Sequence, residues 1–276
     1  MRYKFVDDLS TLEKLNLLSI GLSNYNFRSH VASEIAIGHQ FIPATNFNGQ
    51  SSLDHLVGWT NTNKSKLNVK KSNYMIFNFT REHQFSCRLR IEDTLLEAIE
   101  ETKLLGVIIT SALKWHRNSE MLVRKGFQRM RIIQKLKSFD VSNEDLVTIY
   151  ILYIRSILEQ NCQVWHYSLT EEEIVCLERV QKTACHLILQ NDYITYQDAL
   201  NTLNLETLFQ RRESLCLKFA QKCTKHPKAK QLFPLNPEVK HHLRKREKFY
   251  VQPAKTERLL YSAIPQLQRA LNASSK

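Results

Sequence analysis

The chain has 276 residues, which is longer than one typical domain, and we expect roughly two folded units and a tail. With 43% hydrophobic and 24% charged residues, its composition is that of a globular protein with a sizeable core rather than of a disordered chain. The 39 Lys and Arg residues exceed the 27 Asp and Glu residues, and the formal charge of +12 favours a polyanionic partner, nucleic acid before membrane. A merely basic, solvated surface is the alternative interpretation.

The cysteines, the N-terminus and the longest apolar stretch exclude other classes of protein. The six cysteines include no CxxC pair, so neither a zinc ribbon nor a disulfide scaffold is indicated, and reduced core thiols are expected. The first residues include Arg2, Lys4 and Asp7 without an uninterrupted apolar core, so no secretory signal is indicated. The stretch LVTIYILYIRSIL is interrupted by Arg155 and is too short to span a bilayer. We expect a soluble intracellular protein, nuclear or cytoplasmic, without a membrane partner.

The first third of the chain has the patterns of a small α+β unit. The segments RYKFV and LSTLEKL flank Asp7 and Asp8 and predict a hairpin, whereas residues 20–50 are predicted to be loop. An amphipathic helix with a Ser cap is predicted from Ser51. The alternating segments NYMIFNF and FSCRLRI, with the continuous apolar strand KLLGVIIT around Gly106, predict an antiparallel sheet.

The period of the apolar residues then changes from two to 3.6, which separates a first domain, residues 1–112, from a helical domain over residues 113–225. Helices are predicted in RNSEMLVRKGFQRMRIIQKLKSF, NEDLVTIYILYIRSILEQ, TEEEIVCLERVQKTACHLIL, TYQDALNTL and LFQRRESLCLKFAQKC. The third of these begins with a capping box of Thr170 and Glu173. Residues 226–276, rich in basic residues and proline, are predicted to be an irregular basic tail.

Two groups of basic residues are candidates for contacts with nucleic-acid phosphates. One group occurs at i, i+7 and i+11 of the first helix of the helical domain and therefore forms a stripe, and the other lies in the tail. They are Arg124, Arg131 and Lys135 in the helix and Arg244, Lys245 and Arg246 in the tail. Binding of this kind has little sequence preference and weakens steeply with salt. A solvated surface is the alternative for both groups.

Several short motifs follow one another in a characteristic order. The first is the box Phe5-Val6-Asp7-Asp8, of the form (F/Y)-x-D-D, and it is followed by KLNVKKSNYMIF and by KLLGVII with LKWH after it. Then come ILYIRSILEQNCQVWHYSL with LERVQKTACHLIL, and finally TERLLYSAIPQLQRALN. The second contains an N-x-x-K-(T/S) pattern formed by Asn68, Lys71 and Ser72. In this order the motifs resemble the reverse transcriptases of non-LTR retrotransposons. The resemblance covers nearly the whole chain, and its specificity lies in the order.

The resemblance implies template-directed phosphoryl transfer by an RNA-directed DNA polymerase, with an RNA template and a DNA primer as partners. Asp7 would bind two Mg²⁺ ions with Asp8 in support, since hard cations prefer carboxylate oxygens. Lys71 would lie near the triphosphate of the incoming nucleotide. The residues of the primer-grip hairpin would be Leu105, Gly106 and Val107. A tight turn is the alternative for the two aspartates, and a solvated lysine at a strand end is the alternative for Lys71.

The sequence also departs from the family. Consecutive strand residues point to opposite faces, so Asp7 and Asp8 need a third carboxylate to surround two metals. Only four residues precede Phe5, so we expect an α+β palm remnant with a small antiparallel sheet and a helix, an all-α thumb-like bundle and the basic tail. Such a chain would be inactive alone, unless the missing N-terminal part of the polymerase joins it. A non-catalytic nucleic-acid-binding remnant and a translated relic without function are the alternatives.

Overall fold

The computed structural model describes residues 34–37, 40–43, 49–64, 67–77, 88–236, 247–254 and 256–274. The chain divides into two compact units, Met1–Lys114 and Trp115–Lys276. The described part is mostly helical, with several short strands in the first unit, so the protein has an α+β fold.

A four-stranded sheet lies in the first unit in the order β2-β1-β3-β6. Strands β1 (Glu34–Ile37) and β2 (Gln40–Pro43) are antiparallel, as are β1 and β3 (Asn73–Phe77). Strand β6 (Glu97–Ala98) runs parallel to β3, so the purely antiparallel sheet that we predicted is wrong at this edge. The loop predicted over residues 20–50 is also wrong where β1 and β2 form, because strands this short give too little alternation to detect.

Helix α1 (Gly49–Thr62) covers a small core and is joined to the next hairpin by one side chain. The hairpin consists of β4 (Arg90–Ile91) and β5 (Thr94–Leu95). The amide of Gln50 accepts a hydrogen bond from the Arg90 nitrogen at 2.9 Å and donates one to the Arg90 oxygen at 2.8 Å. This pair satisfies both backbone groups of Arg90 as a neighbouring strand would. The core residues are Leu53, Tyr74, Leu89, Ile91 and Leu96.

A second hairpin ends the first unit. Strands β7 (Glu101–Leu104) and β8 (Val107–Thr110) are antiparallel, and Leu104 faces Val107 beside the turn. Leu105 and Gly106 have φ angles of 51° and 91°, and positive φ at both central residues is the requirement of a type I′ turn. The apolar pattern alone predicted one continuous strand here, which is wrong, whereas the resemblance predicted a hairpin, which is present.

The second unit is a helical bundle. Its two longest helices, α2 (His116–Lys137) and α6 (Glu171–Leu189), pack directly on each other. The capping box at the start of α6 is confirmed, because Thr170 accepts a hydrogen bond from the Glu173 nitrogen and Glu173 accepts one from the Thr170 nitrogen. The elements of the bundle are α2 (His116–Lys137), α3 (Asn143–Ile149), a π-helix (Tyr150–Arg155), α4 (Ser156–Glu159), α5 (Cys162–Trp165), α6 (Glu171–Leu189), α7 (Tyr196–Thr202), α8 (Leu208–Lys225), α9 (Glu257–Leu260) and α10 (Ala263–Ser274).

Helices α2 and α6 are tightly packed at Gly126. A Cβ atom at Gly126 would lie 2.8 Å from Cγ1 of Val180 and 3.4 Å from Cδ2 of Leu158. Because atoms in a packed core do not approach to 2.8 Å without displacement, the crossing requires a residue without a side chain. Ile133 on α2 and Leu177 on α6 are fully buried and extend the apolar contact.

A buried hydrogen-bond network centred on Gln181 connects the π-helix, α6, α7 and the loop that precedes α8. The Tyr150 hydroxyl donates to Gln181 Oε1 at 2.7 Å, and Gln181 Nε2 donates to the Tyr196 hydroxyl and to the Glu206 carbonyl, both at 2.8 Å. Tyr196 in turn donates to Glu178. Burial raises the pKa of both tyrosines, and the bond to Glu178 raises that of Tyr196 further, so both hydroxyls remain donors.

The C-terminal segment packs on the bundle through α10, which contacts α8. The side chain of Asn272 accepts a hydrogen bond from the Phe249 nitrogen at 2.8 Å and donates one to its oxygen at 2.9 Å. Gln268 Nε2 donates to the Leu232 carbonyl at 2.8 Å. The prediction of an irregular tail is therefore wrong for residues 256–274. The composition of the preceding residues, rich in proline and basic residues, led us to predict the whole tail as irregular, although this segment has an apolar helical repeat of its own.

A buried arginine and histidine lie on the side of the bundle formed by α5 and α8. Arg212 is fully buried, and its Nε donates to Nδ1 of His166 at 3.3 Å. The guanidinium also lies 5.7 Å from the centre of the Trp165 ring. Burial, and then the charge of Arg212, lower the pKa of His166 from 6.5 to about 3. His166 is therefore neutral in the folded protein at neutral pH.

The substitution Gly126→Ala is expected to destabilise the bundle by about 1–2 kcal/mol, because overpacking against Val180 exceeds the gain in helix propensity. Chemical denaturation of the full chain measures the change. Gly58→Ala is the matched control, since a Cβ at Gly58 on α1 meets no atom within 4 Å, and it is expected to cause no loss. Equal or greater stability of Gly126→Ala would contradict the close crossing.

The stability of the bundle is expected to fall between pH 6.5 and 3, because the unfolded chain protonates His166 in that range while the folded chain does not. The expected contribution is about 2 kcal/mol on going from pH 7.5 to 5.0. Denaturation of the wild-type chain and of His166→Gln at both pH values isolates this contribution from the other histidines. An identical pH dependence in the two proteins would show that His166 is not the cause.

Candidate nucleic-acid interface

The predicted basic stripe lies on the exposed side of α2. Arg124, Arg131 and Lys135 are all exposed, whereas Leu122 and Ile133 on the other side of the helix are buried in the bundle. Intervals of seven and eleven residues are close to two and three turns, so the three side chains follow the helix axis over about 16 Å. The contact with α6 fixes the direction in which the stripe faces.

The positive charge of the stripe is not neutralised by its neighbours. Within the described residues, none of the three stripe side chains forms an ion pair. Helix α2 contains seven Lys and Arg residues and one acidic residue, Glu120, which pairs instead with Arg117 at 3.0 Å and with His116 at 3.4 Å. An array of unpaired cations along one helix attracts polyanions.

A second basic residue position on α2, Arg129, contacts Tyr153 of the π-helix. The Arg129 guanidinium lies 4.3 Å from the centre of the Tyr153 ring, and its Nη1 donates to the Tyr153 carbonyl at 2.6 Å. Two large apolar side chains near this pair in the sequence are unusually exposed, Ile132 at 39% and Leu152 at 70%. This contact could not be predicted from the sequence, because it joins residues 24 positions apart on two helices.

Lys71 closes a tight turn before β3. It ends a 3₁₀ helix (Val69–Lys71), and its side chain is exposed. The Lys71 nitrogen and the Ser72 hydroxyl both donate to the Asn68 carbonyl at 3.0 Å. The three residues of the N-x-x-K-(T/S) pattern therefore form one compact turn, which holds Lys71 at the start of a strand.

The residues of the predicted primer grip occupy the tip of the second hairpin. Leu105 is 42% exposed at the turn, whereas Val107 is buried and anchors the start of β8. Gly106 supplies the positive φ between them. The hairpin therefore presents one apolar side chain to solvent from a fixed turn.

The remaining candidates, Asp7, Asp8, Arg244, Lys245 and Arg246, lie outside the described residues. The chain on either side of the tail group is held together, since the Asn236 nitrogen donates to the Lys248 carbonyl at 3.0 Å and Asn236 Nδ2 donates to the Glu247 carbonyl at 2.8 Å.

Elsewhere in the described part, no group of three His, Cys, Asp or Glu side chains could hold a metal ion. Among the described helices, none has the length and apolar character needed to cross a membrane.

No protein-family model, curated protein or solved structure matches the chain.

Proposed function

We propose that this chain contains the end of the palm and the thumb of a non-LTR retrotransposon reverse transcriptase. Its helical unit would hold the duplex of RNA template and DNA primer by contacts to phosphates. The single observation that supports this proposal best is the unpaired basic stripe of Arg124, Arg131 and Lys135 on the exposed side of α2. The tail residues Arg244, Lys245 and Arg246 would add further phosphate contacts.

The geometry of the stripe suits a nucleic-acid backbone. Each strand of a duplex presents one phosphate about every 3.4 Å along the helix axis, so a stripe of about 16 Å lies opposite several phosphates. Contacts of this kind position a duplex without reading its sequence. The expected binding is therefore weak, insensitive to sequence and strongly dependent on salt.

The motifs of the first unit support the polymerase origin. Asp7 and Asp8 would hold Mg²⁺, because carboxylate oxygens are the ligands this ion prefers. Bound Mg²⁺ would supply charge stabilisation for phosphoryl transfer. Lys71 would neutralise charge near the triphosphate, and Leu105, Gly106 and Val107 would support the primer from the hairpin. Two adjacent carboxylates do not complete a two-metal site, so we propose that this chain does not polymerise alone.

A nucleic-acid-binding module without catalysis is the second candidate. The stripe favours it, because phosphate binding by α2 requires neither Asp7 nor Asp8. The two candidates share the binding surface and differ only in whether another chain or segment completes the metal site.

The purified chain is expected to show no primer extension on an RNA template with Mg²⁺ or Mn²⁺, because Asp7 and Asp8 alone would not surround two metal ions. Incorporation of labelled nucleotide measures the activity, and an active reverse transcriptase on the same template verifies the assay. Robust extension that Asp7→Ala abolishes would refute the proposal that the chain is inactive alone.

Neutralising the stripe is expected to weaken duplex binding and to lower the slope of log K against log salt by roughly 2–3. The variant is Arg124→Gln/Arg131→Gln/Lys135→Gln, and fluorescence anisotropy with an RNA–DNA duplex at several salt concentrations measures the effect. A control with the same change of charge is Lys218→Gln/Lys222→Gln/Lys230→Gln, whose three side chains are exposed outside α2. If both triple variants lowered the slope equally, the effect would come from net charge, and the stripe would not be the interface.

A further inference from the structure

Arg129 is held in place before any ligand arrives. Its guanidinium lies against the Tyr153 ring, and the bond from Nη1 to the Tyr153 carbonyl fixes its orientation. A guanidinium has five N–H donors, so this bond leaves four. A long side chain fixed in this way loses less conformational entropy when it binds a ligand. The π-helix that supplies Tyr153 is a rare conformation that occurs frequently at functional sites.

The Arg129–Tyr153 pair lies at the edge of the exposed side of α2, about 140° around the helix axis from the middle of the basic stripe. Around the axis of α2, Ile132 lies between the stripe and Arg129, because each residue advances by about 100°. Ile132 is 39% exposed, and on the π-helix Leu152 and Tyr153 are 70% and 44% exposed. The surface thus changes from a row of cations to apolar and aromatic groups within one helix diameter, about 10 Å.

This arrangement matches the two sides of a nucleic-acid strand. Phosphates that follow the stripe would leave the bases of the same strand above Ile132 and the Arg129–Tyr153 pair. Every base has an apolar π-face, and unpaired bases stack on aromatic rings and on guanidinium planes. A second protein is a less suitable occupant, because α2 has seven Lys and Arg residues against one Glu.

We propose that Arg129 and Tyr153, flanked by Ile132 and Leu152, form a stacking surface for an unpaired base of single-stranded RNA or DNA whose phosphates lie on the basic stripe. This inference rests on the proposed nucleic-acid binding and extends it from duplex to single-stranded segments. Arg129 contacts the base, and Tyr153 positions Arg129 and supplies the adjacent aromatic surface.

The test uses the full chain and a single-stranded DNA of twelve nucleotides that contains 2-aminopurine, whose fluorescence is quenched by stacking. Tyr153→Leu is expected to lower the affinity about fivefold to tenfold at every salt concentration, with an unchanged salt slope, and to remove quenching in the bound state. Tyr153→Phe is expected to behave like the wild type, because the ring remains. The stripe triple variant is expected to lower the salt slope but to retain quenching once the DNA is bound.

Two further variants keep the test valid if Tyr153→Leu is poorly folded. Leu152 is largely exposed, so Leu152→Ser preserves the fold and is expected to reduce affinity twofold to threefold at every salt concentration. Ile194→Ser is the matched control, since Ile194 is 79% exposed outside this surface and its replacement is expected to have no effect. Far-UV circular dichroism and denaturation midpoints establish that each variant is folded.

The outcomes separate this inference from the proposed function. If the chain binds no nucleic acid at any salt concentration, the proposed function fails and the inference fails with it. If the stripe variant lowers the slope while Tyr153→Leu binds and quenches as the wild type does and Leu152→Ser keeps the wild-type affinity, only the stacking surface is refuted. Self-association that Leu152→Ser abolishes would assign the surface to a second copy of the chain and would also overturn the inference.

Discussion

The close crossing of α2 and α6 at Gly126 is the constraint on which the rest of the helical unit depends. Because the position has no side chain, Val180 and Leu158 pack against the backbone of α2, and the side of the helix that contains Leu122 and Ile133 is buried with them. A rotation of α2 about its axis would expose those side chains and would bring a side chain of α2 against α6. The crossing therefore fixes the basic stripe toward solvent. The cations lie on this face because the opposite face of α2 is buried in apolar contacts.

The Gln181 network fixes the position of the π-helix against α6 in a similar way. A buried amide that lost its partners would cost about 1–3 kcal/mol, so the bond from Tyr150 to Gln181 fixes the start of the π-helix against α6. Tyr153 follows three residues later in the same turn, and its position beneath Arg129 depends on that anchor. The surface pair is thus supported by a fully buried hydrogen bond. The core and the surface are coupled here through one short segment, which explains how the half-buried Arg129 is held in a single orientation.

The sequence predicted the features that arise from neighbouring residues. The capping box of Thr170 and Glu173 and the stripe on α2 could be predicted, because a cap and a helical face are local properties. The turn at Gly106 was hidden from the apolar pattern, since Leu105 and Val107 continue the run of apolar residues across it, and only the motif order indicated a hairpin. The contact of Arg129 with Tyr153 and the role of Gln181 could not be predicted, because both depend on which helices pack together. Strands β1 and β2 were missed for another reason, their length of four residues.

The physical requirements of the proposed nucleic-acid binding differ from those of catalysis. Metal-dependent phosphoryl transfer requires several carboxylates brought together within a few ångströms, and the loss of one carboxylate removes the site. Phosphate binding needs only a sustained excess of positive charge on a fixed surface, and each cation contributes to it. Along α2, Arg131 and Lys135 lie about 6 Å apart, which is less than the Debye length of about 8 Å at physiological ionic strength, so their mutual repulsion is only partly screened. A bound polyanion relieves this repulsion and adds attraction. The proposed phosphate binding would therefore not require a complete metal site, because the stripe is positioned by the packing of α2 against α6 and not by Asp7 or Asp8.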